Sequence, residues 1–212
     1  MSSEKLPPLP KPLKGFSDVN RYWDKYHGKY AAKLLPGQCY VTVNDEIIVT
    51  VLGSCISACI RDTVFGIGGM NHFMLPVSRK NSQSDNWLSE ANRYGNFAME
   101  NLINEILKNG GDRRNIEVKL FGGGRVISHI TSADVGRKNI DFVLSYVKME
   151  GFAVKAQDLG AFYPRKVVYF PLTGRVKVKK LVSMHNDTII QREAEYLESL
   201  QTKPIQGDVE LF

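Results

Sequence analysis

The sequence predicts a single α/β (α+β) domain, and three observations support this prediction. Its 212 residues are enough for one domain with a sizeable core and for tails beyond it. Short runs of β-forming residues recur along the chain, and two longer segments repeat apolar residues at intervals of three and four. A composition of 43% hydrophobic and 24% charged residues is typical of globular proteins and argues against wholesale disorder.

The first 36 residues are predicted to form an extended basic arm. Prolines are dense between Leu6 and Pro12, and proline neither continues a helix nor donates to a sheet. Before residue 40, seven Lys and Arg against three acidic residues supply four of the six excess positive charges of the chain. Their simplest interpretation is a solvated tail, so nucleic-acid binding is not expected. The spacing of the aromatic residues Tyr22, Trp23, Tyr26 and Tyr30 allows a short helix packed on the domain.

The domain itself is predicted to span residues 37 to 190, and it begins with β-forming runs. Two of these lie at residues 39–43 and 47–51. Two more lie at 56–60 and 66–74, and residues 62–65 between them predict a hairpin. The later runs are at 116–121, 152–156, 166–170 and 175–182.

Two main helices are predicted between these strands. The first carries its apolar residues from Ala91 to Leu107 and ends at Asn109-Gly110-Gly111, a helix-capping signal. The second begins near Ser132 and Asp134, extends to Met149 and stops at Gly151. The polar tail, residues 191–212, is predicted to be a helix followed by coil.

The cysteines and the hydropathy pattern together predict a cytoplasmic protein with reduced thiols. No apolar run approaches the roughly 18 residues that a membrane helix needs, and residues 1–10 lack the apolar core of a secretory signal. The three cysteines, Cys39, Cys55 and Cys59, are an odd number, which argues against a disulfide framework.

Cys55 and His72 are the candidate nucleophile and base. If the hairpin turns at Thr63-Val64, Cys55 lies directly opposite His72, and opposite residues in an antiparallel pair share a face. A neighbouring imidazole would help a thiol ionise, since a free cysteine titrates near pH 8.5. Gly53 and Ser54 precede the cysteine in a tight turn, where backbone amides are able to form an oxyanion hole.

Other interpretations of the same residues are weaker. Cys39 and Cys59 fit ordinary core packing, because cysteine is among the most buried residue types. A zinc site made of Cys55, Cys59 and His72 matches no established ligand spacing. Gly122-Gly123-Gly124 lacks the Lys-Ser/Thr of a phosphate-binding loop.

Several blocks of the sequence resemble the CheD family of chemoreceptor glutamine deamidases. The first two are residues 51–62, which contain Gly53-Ser54-Cys55, and 69–76, which contain His72-Phe73-Met74-Leu75-Pro76. Phe121 to Gly124, Asp134 to Asn139, Asp158 to Gly160 and Pro164 to Val167 follow in the same order. The resemblance covers about residues 38 to 182.

The resemblance implies a layered mixed sheet with two main helices and a papain-like cysteine mechanism. It implies conversion of selected chemoreceptor glutamines to glutamate with release of ammonia, by a mechanism that requires no cofactor and no metal. It assigns Cys55 as the nucleophile, His72 as the base and Thr50 as the candidate third residue. It also implies chemoreceptors as partners, with a CheC-like phosphatase as a further one. The alternatives are a non-catalytic adaptor for chemoreceptor or pathway proteins and a basic RNA-binding protein.

Overall fold

The computed structural model describes residues 6–76, 86–126, 135–182 and 187–202. These residues form one domain of mixed α and β structure, as predicted. The strands are β1 Asn20–Asp24, β2 Lys29–Lys33, β3 Cys39–Thr42, β4 Ile47–Leu52, β5 Ile56–Asp62, β6 Gly68–Asn71, β7 Ile116–Gly122, β8 Val154–Leu159, β9 Arg165–Phe170 and β10 Arg175–Lys180. The helices are α1 Asn86–Lys108, α2 Val135–Met149 and α3 Asp187–Thr202, with a short 3-10 turn at Arg113–Asn115.

The strands divide into two five-stranded mixed sheets. The first has the order β1-β2-β4-β9-β10 and is antiparallel except between β2 and β4. The second has the order β3-β6-β5-β7-β8 and is antiparallel except between β7 and β8. One apolar cluster joins both sheets and the helices, and it includes Leu52, Ile56, Met70, Leu102 and Val143. The chain crosses between the sheets at residues 53–55.

The two predicted helices are present, and they end where the sequence indicates. Gly110 lies at φ 105° and Gly151 at φ 70°. That left-handed backbone favours glycine and terminates a helix. Helix α1 contacts β3, β5 and β6, and α2 contacts β5 and α1. Within the described residues, no helix is both long enough and apolar enough to cross a membrane.

The prediction of a short helix near Tyr22 is wrong, because this segment is a β-hairpin. Strands β1 and β2 pair antiparallel, and Trp23 packs edge-on against Tyr30 with ring centroids 5.1 Å apart. The same spacing of aromatic residues suits cross-strand pairing. Residues 20–33, predicted as part of an arm, thus form the edge of the first sheet. N-terminal to this hairpin, the carbonyl of Pro7 accepts a hydrogen bond from the Tyr30 hydroxyl (2.6 Å).

Candidate active site

The turn from Gly53 to Cys55 carries the chain from the first sheet to the second. Its three carbonyls each accept a hydrogen bond. The donors are Gly124 N–H to Gly53 (2.7 Å), the side-chain amide of Asn139 to Ser54 (2.9 Å) and Gly123 N–H to Cys55 (2.8 Å). The C=O and N–H of a trans peptide unit point in opposite directions. Fixing these carbonyls therefore aims the N–H groups of Ser54 and Cys55 to the other side of the turn.

The N–H groups of Gly53, Ser54 and Cys55 converge on one spot, which we call the amide pocket. The carboxylate of Glu193, from α3, lies in it. Its Oε1 accepts from Gly53 N–H (2.9 Å) and Cys55 N–H (3.3 Å), and its Oε2 accepts from Ser54 N–H (2.9 Å) and the Ser54 hydroxyl (2.7 Å). Converging backbone donors of this kind stabilise a negatively charged oxygen. The amide pocket thus has the chemistry of an oxyanion hole.

The triple glycine supports the turn rather than a nucleotide. Gly122 has φ 114°, and a Cβ at this position would lie 2.1 Å from the Cys55 carbonyl oxygen. Gly123 has φ 66° and leaves no room beside Ile140, whose side chain would lie 2.4 Å from an added Cβ. Only glycine allows the backbone to approach the cysteine turn this closely.

Gly122→Ala is therefore expected to destabilise the fold and to lower activity in the molecules that remain folded. Backbone strain at a positive φ costs about 1–3 kcal/mol, and the overlap with the cysteine turn adds to it. Gly151→Ala is the matched control, because Gly151 has φ 70° but nothing within 4 Å of an added Cβ. Urea unfolding of both variants measures the difference. Equal loss of stability would contradict the role of Gly122 in supporting the turn.

His72 directly follows β6, and hydrogen bonds of its backbone fix its position. Its N–H donates to the carbonyl of Gln38 (2.9 Å), and its carbonyl accepts from Gly37 N–H (2.7 Å). The ring Nδ1 lies 2.7 Å from the hydroxyl oxygen of Thr50 on β4. Thr50 and His72 are both buried. The structure thus brings two of the residues predicted from the sequence into direct contact.

The neighbours of Thr50 determine which ring nitrogen of His72 carries the proton. The Thr50 hydroxyl also lies 3.0 Å from the carbonyl oxygen of Leu34, and a carbonyl only accepts. Thr50 therefore donates to Leu34 and accepts from the Nδ1–H of His72. The neutral ring is then unprotonated at Nε2, which is buried without a hydrogen-bond partner among the described residues. An unprotonated Nε2 is the form that accepts a proton from a thiol.

Cys55, His72 and Glu193 form a buried cluster in which one side-chain ligand atom of each lies within 4.8 Å of the others. Burial, and secondarily the Glu193 carboxylate, raise the pKa of Cys55 well above its ordinary value. Burial lowers the pKa of His72 to about 4, although Glu193 acts in the opposite direction. The proton therefore resides on sulfur, and the pair is a neutral thiol and a neutral imidazole while Glu193 is in place.

The hairpin register predicted from the sequence is wrong. Met70, rather than Gly68, lies opposite Cys59, and Phe73 lies opposite Ile56. The reason is a longer turn, in which the Asp62 carboxylate accepts from Val64 N–H (2.7 Å) and the Asp62 N–H donates to Ile67 (2.9 Å). Cys55 and His72 meet because both lie just outside their strands, at the place where the two sheets join.

The other cysteines do not join this cluster. Cys59 is buried on β5, and its pKa is raised by burial. Cys39 is half-buried on β3, and burial raises its pKa to about 11. Among the described residues, the group with metal-ligand spacing is Cys55, His72 and Glu193 rather than Cys55, Cys59 and His72. The N–H groups of the amide pocket point their positive ends at the same place, which disfavours a cation there.

Two residues of the site were not identified from the sequence. Glu193 is 140 residues from Gly53, and nothing local distinguishes it from the other acids of a polar tail. Asn139 bridges the site by donating to the Ser54 carbonyl (2.9 Å) and accepting from Leu75 N–H (2.8 Å). The feature that marks Asn139 is that it is a fully buried asparagine on a helix. Burial is not visible in a single sequence, so sequence reasoning could not identify this residue.

A cavity of about 410 Å³ opens beside the cluster. It is lined by Thr50 and His72, by residues of β1 and β4, and by Ile189, Arg192 and Glu193 of α3. The candidate site therefore borders a cavity whose wall is partly formed by α3.

Comparison with known proteins identifies the family of this chain. A family described as CheD chemotactic sensory transduction matches residues 74–180. The probable chemoreceptor glutamine deamidase CheD of Halorhodospira halophila is 54% identical over 208 residues, covering 96% of this chain and 94% of its own length. The protein of the same description from Hahella chejuensis is 50% identical over 214 residues and covers 100% of both chains. A third, from Saccharophagus degradans, is 54% identical over 202 residues, covering 94% of this chain and 93% of its own. With relatives this similar along almost its whole length, the chain belongs to the CheD family.

Proposed function

We propose that this chain is a protein-glutamine glutaminase that converts selected glutamine side chains of chemoreceptors to glutamate, releases ammonia and thereby tunes chemotaxis signalling. The observation that carries the proposal is the placement of the Cys55 thiol beside His72 and the amide pocket. These are the three elements that acyl transfer from a carboxamide requires. The names of its relatives, probable chemoreceptor glutamine deamidases, supply the substrate class.

In the proposed reaction, His72 accepts the thiol proton at Nε2 as the sulfur of Cys55 attacks the side-chain carbonyl carbon of glutamine. The carbonyl oxygen becomes negatively charged and accepts hydrogen bonds from the amide pocket. His72 then gives its proton to the departing ammonia, which leaves a thioester on Cys55. The neutral Nε2 of His72 next takes a proton from water, and the resulting hydroxide attacks the thioester. The carbon–sulfur bond breaks to give glutamate, and His72 returns the proton to the departing sulfur of Cys55. Thr50 keeps the ring in the productive tautomer throughout.

Gly53 and Ser54 have separate roles in this proposal. A Cβ at Gly53 would lie 2.8 Å from both carboxylate oxygens of Glu193, so only glycine leaves the amide pocket open to a carboxamide or carboxylate. The Ser54 hydroxyl adds a fourth donor beside the three N–H groups. Neither role involves a metal or an organic cofactor.

The product gains a negative charge on a receptor helix, which changes the packing preferences of that helix as other charge-changing modifications do. Because the implied substrate lies on cytoplasmic helices of chemoreceptors, the proposal includes a cytoplasmic location and contact with membranes through the receptors alone. A CheC-like phosphatase is retained as a proposed second partner on the family resemblance.

The test uses the purified chain and a soluble cytoplasmic fragment of a chemoreceptor. Peptide mass spectrometry is expected to find amide-to-acid exchange at a small set of glutamines, with one ammonia released for each. The adaptor alternative predicts binding of the same fragment without any mass change. Exchange at the same rate in fragment incubated without the chain would contradict the proposal.

A further inference from the structure

Helix α3 covers the candidate site, and one face of the helix contacts it. Glu193, Tyr196 and Leu197 lie at intervals of three and four, while Gln191, Ala194 and Glu195 are exposed. The Tyr196 hydroxyl hydrogen-bonds the Tyr94 hydroxyl of α1. Its ring covers Gly37, where an added Cβ would lie 3.0 Å away. The amide pocket, Tyr94 and Gly37 together form a surface that we call the α3 seat.

The buried carboxylate at the centre of this face is unusual. Glu193 is 3% exposed, and the donors that the described structure gives it are three backbone N–H groups and one hydroxyl, all neutral. A buried carboxylate is costly unless its oxygens are fully hydrogen-bonded. An apolar residue would hold an amphipathic helix in place at less cost. The carboxylate is therefore better explained by what the amide pocket binds than by helix packing.

The group that fills the amide pocket is chemically the product of the proposed reaction. A glutamate side chain is what deamidation leaves, and Glu193 presents it on an α-helix with its oxygens on the donors assigned to the oxyanion. We propose that α3 is a built-in occupant of the substrate site, that Glu193 is a mimic of the product, and that the α3 seat is the surface on which a glutamine-bearing helix of the substrate docks. This inference rests on the proposed function and names its substrate as a helix.

Docked α3 keeps the enzyme inactive. Cys55 is 0% exposed beneath it, so a glutamine reaches the sulfur only when α3 leaves the seat. The adjacent carboxylate also raises the pKa of the thiol, which disfavours the thiolate. A substrate helix binds the open form and competes with α3, so that the observed activity depends on the fraction of open molecules.

The first test compares Glu193→Ala with Glu195→Ala. Glu195 is an exposed glutamate on the same helix, and its carboxylate accepts a hydrogen bond from the Gln191 side chain. Loss of the Glu193 carboxylate is expected to increase iodoacetamide labelling of Cys55 at pH 7 by about tenfold or more, because the thiol becomes accessible and its pKa falls. Turnover of receptor fragments is expected to rise as well. Glu195→Ala is expected to behave like the unaltered chain. Unchanged labelling, or reduced turnover in Glu193→Ala, would overturn the inference, because reduced turnover would make Glu193 part of the catalytic machinery.

The second test uses Glu193→Gln, which installs the substrate side chain in the site. If α3 occupies the substrate position, Cys55 is expected to attack this amide, form a thioester with loss of ammonia and hydrolyse it to glutamate. Mass spectrometry would then find glutamate at position 193, whereas a Cys55→Ala, Glu193→Gln double variant would retain glutamine. Gln191, exposed on the same helix, is the internal control and is expected to stay an amide.

The same samples separate this inference from the proposed function. If receptor fragments are deamidated while residue 193 remains glutamine, the product-mimic inference fails and the proposed function stands. If neither is deamidated, the proposed function fails, and the inference falls with it.

Discussion

Cys55→Ala is expected to reduce deamidation of receptor fragments to the uncatalysed rate while the domain stays folded. The variant removes the nucleophile, and no other group of the cluster is able to form the thioester. It removes only one sulfur atom from the core, so the change in unfolding free energy is expected to be small. Ammonia release from receptor fragments measures the activity, and circular dichroism measures the fold.

Cys59→Ala is the matched control for this variant. Cys59 is also buried, lies in β5 four residues after Cys55 and loses the same atom, yet it faces the core beside Lys119 and Tyr169. Most activity is expected to remain. Equal loss of activity in the two variants would contradict the assignment of Cys55 as the nucleophile.

His72→Gln is expected to lower turnover by about 10²–10⁴-fold, the usual contribution of a positioned acid or base. Without the imidazole, the reaction depends on spontaneous ionisation of the thiol. Burial lowers the pKa of His72 to about 4, so its imidazole is neutral and available as a base throughout the neutral pH range in the unaltered enzyme. The activity of the variant is instead expected to keep rising with pH as the thiolate forms. Initial rates across pH 6 to 10 measure both effects.

His27→Gln provides the control for His72→Gln. His27 is half-buried in the turn between β1 and β2, beside Phe170 and Asp24, and among the described residues its ring and ion-pair contacts lie outside the site. Thr50→Val gives an intermediate case, since it leaves both reacting groups but removes the acceptor that fixes the tautomer of His72. A His72→Gln enzyme with near-normal turnover and an unchanged pH profile would contradict the role of the imidazole as base.

Local patterns in the sequence identify most of the elements but not their arrangement. Helices α1 and α2 are recognisable because their apolar stripes and terminal glycines depend on residues within a few turns of each other. The β1–β2 hairpin is not, because the spacing of Tyr22, Trp23, Tyr26 and Tyr30 fits either a helix face or a cross-strand pair. Only its parallel pairing with β4 places this segment in the sheet.

The candidate site shows the same division. Cys55 and Gly53 stand out because a glycine-containing turn between two strands is a local feature. The register that brings His72 near them depends on how the Asp62 side chain caps its turn, which the sequence does not specify. Glu193 and Asn139 reach the turn from elements 85 residues or more away in the chain. Contacts of that kind depend on tertiary packing and leave no periodic signal.

The central claim, that Cys55 forms a covalent intermediate with a receptor glutamine, is tested most directly by trapping that intermediate. Glu193→Ala protein is mixed with a receptor fragment, quenched in acid within one turnover and analysed by intact and peptide mass spectrometry. The expected species is the protein joined to the fragment with loss of one ammonia, linked through Cys55 and released by hydroxylamine, as a thioester is. Attachment at Cys39 or Cys59, or deamidation that proceeds equally in a Cys55→Ala protein, would contradict the account.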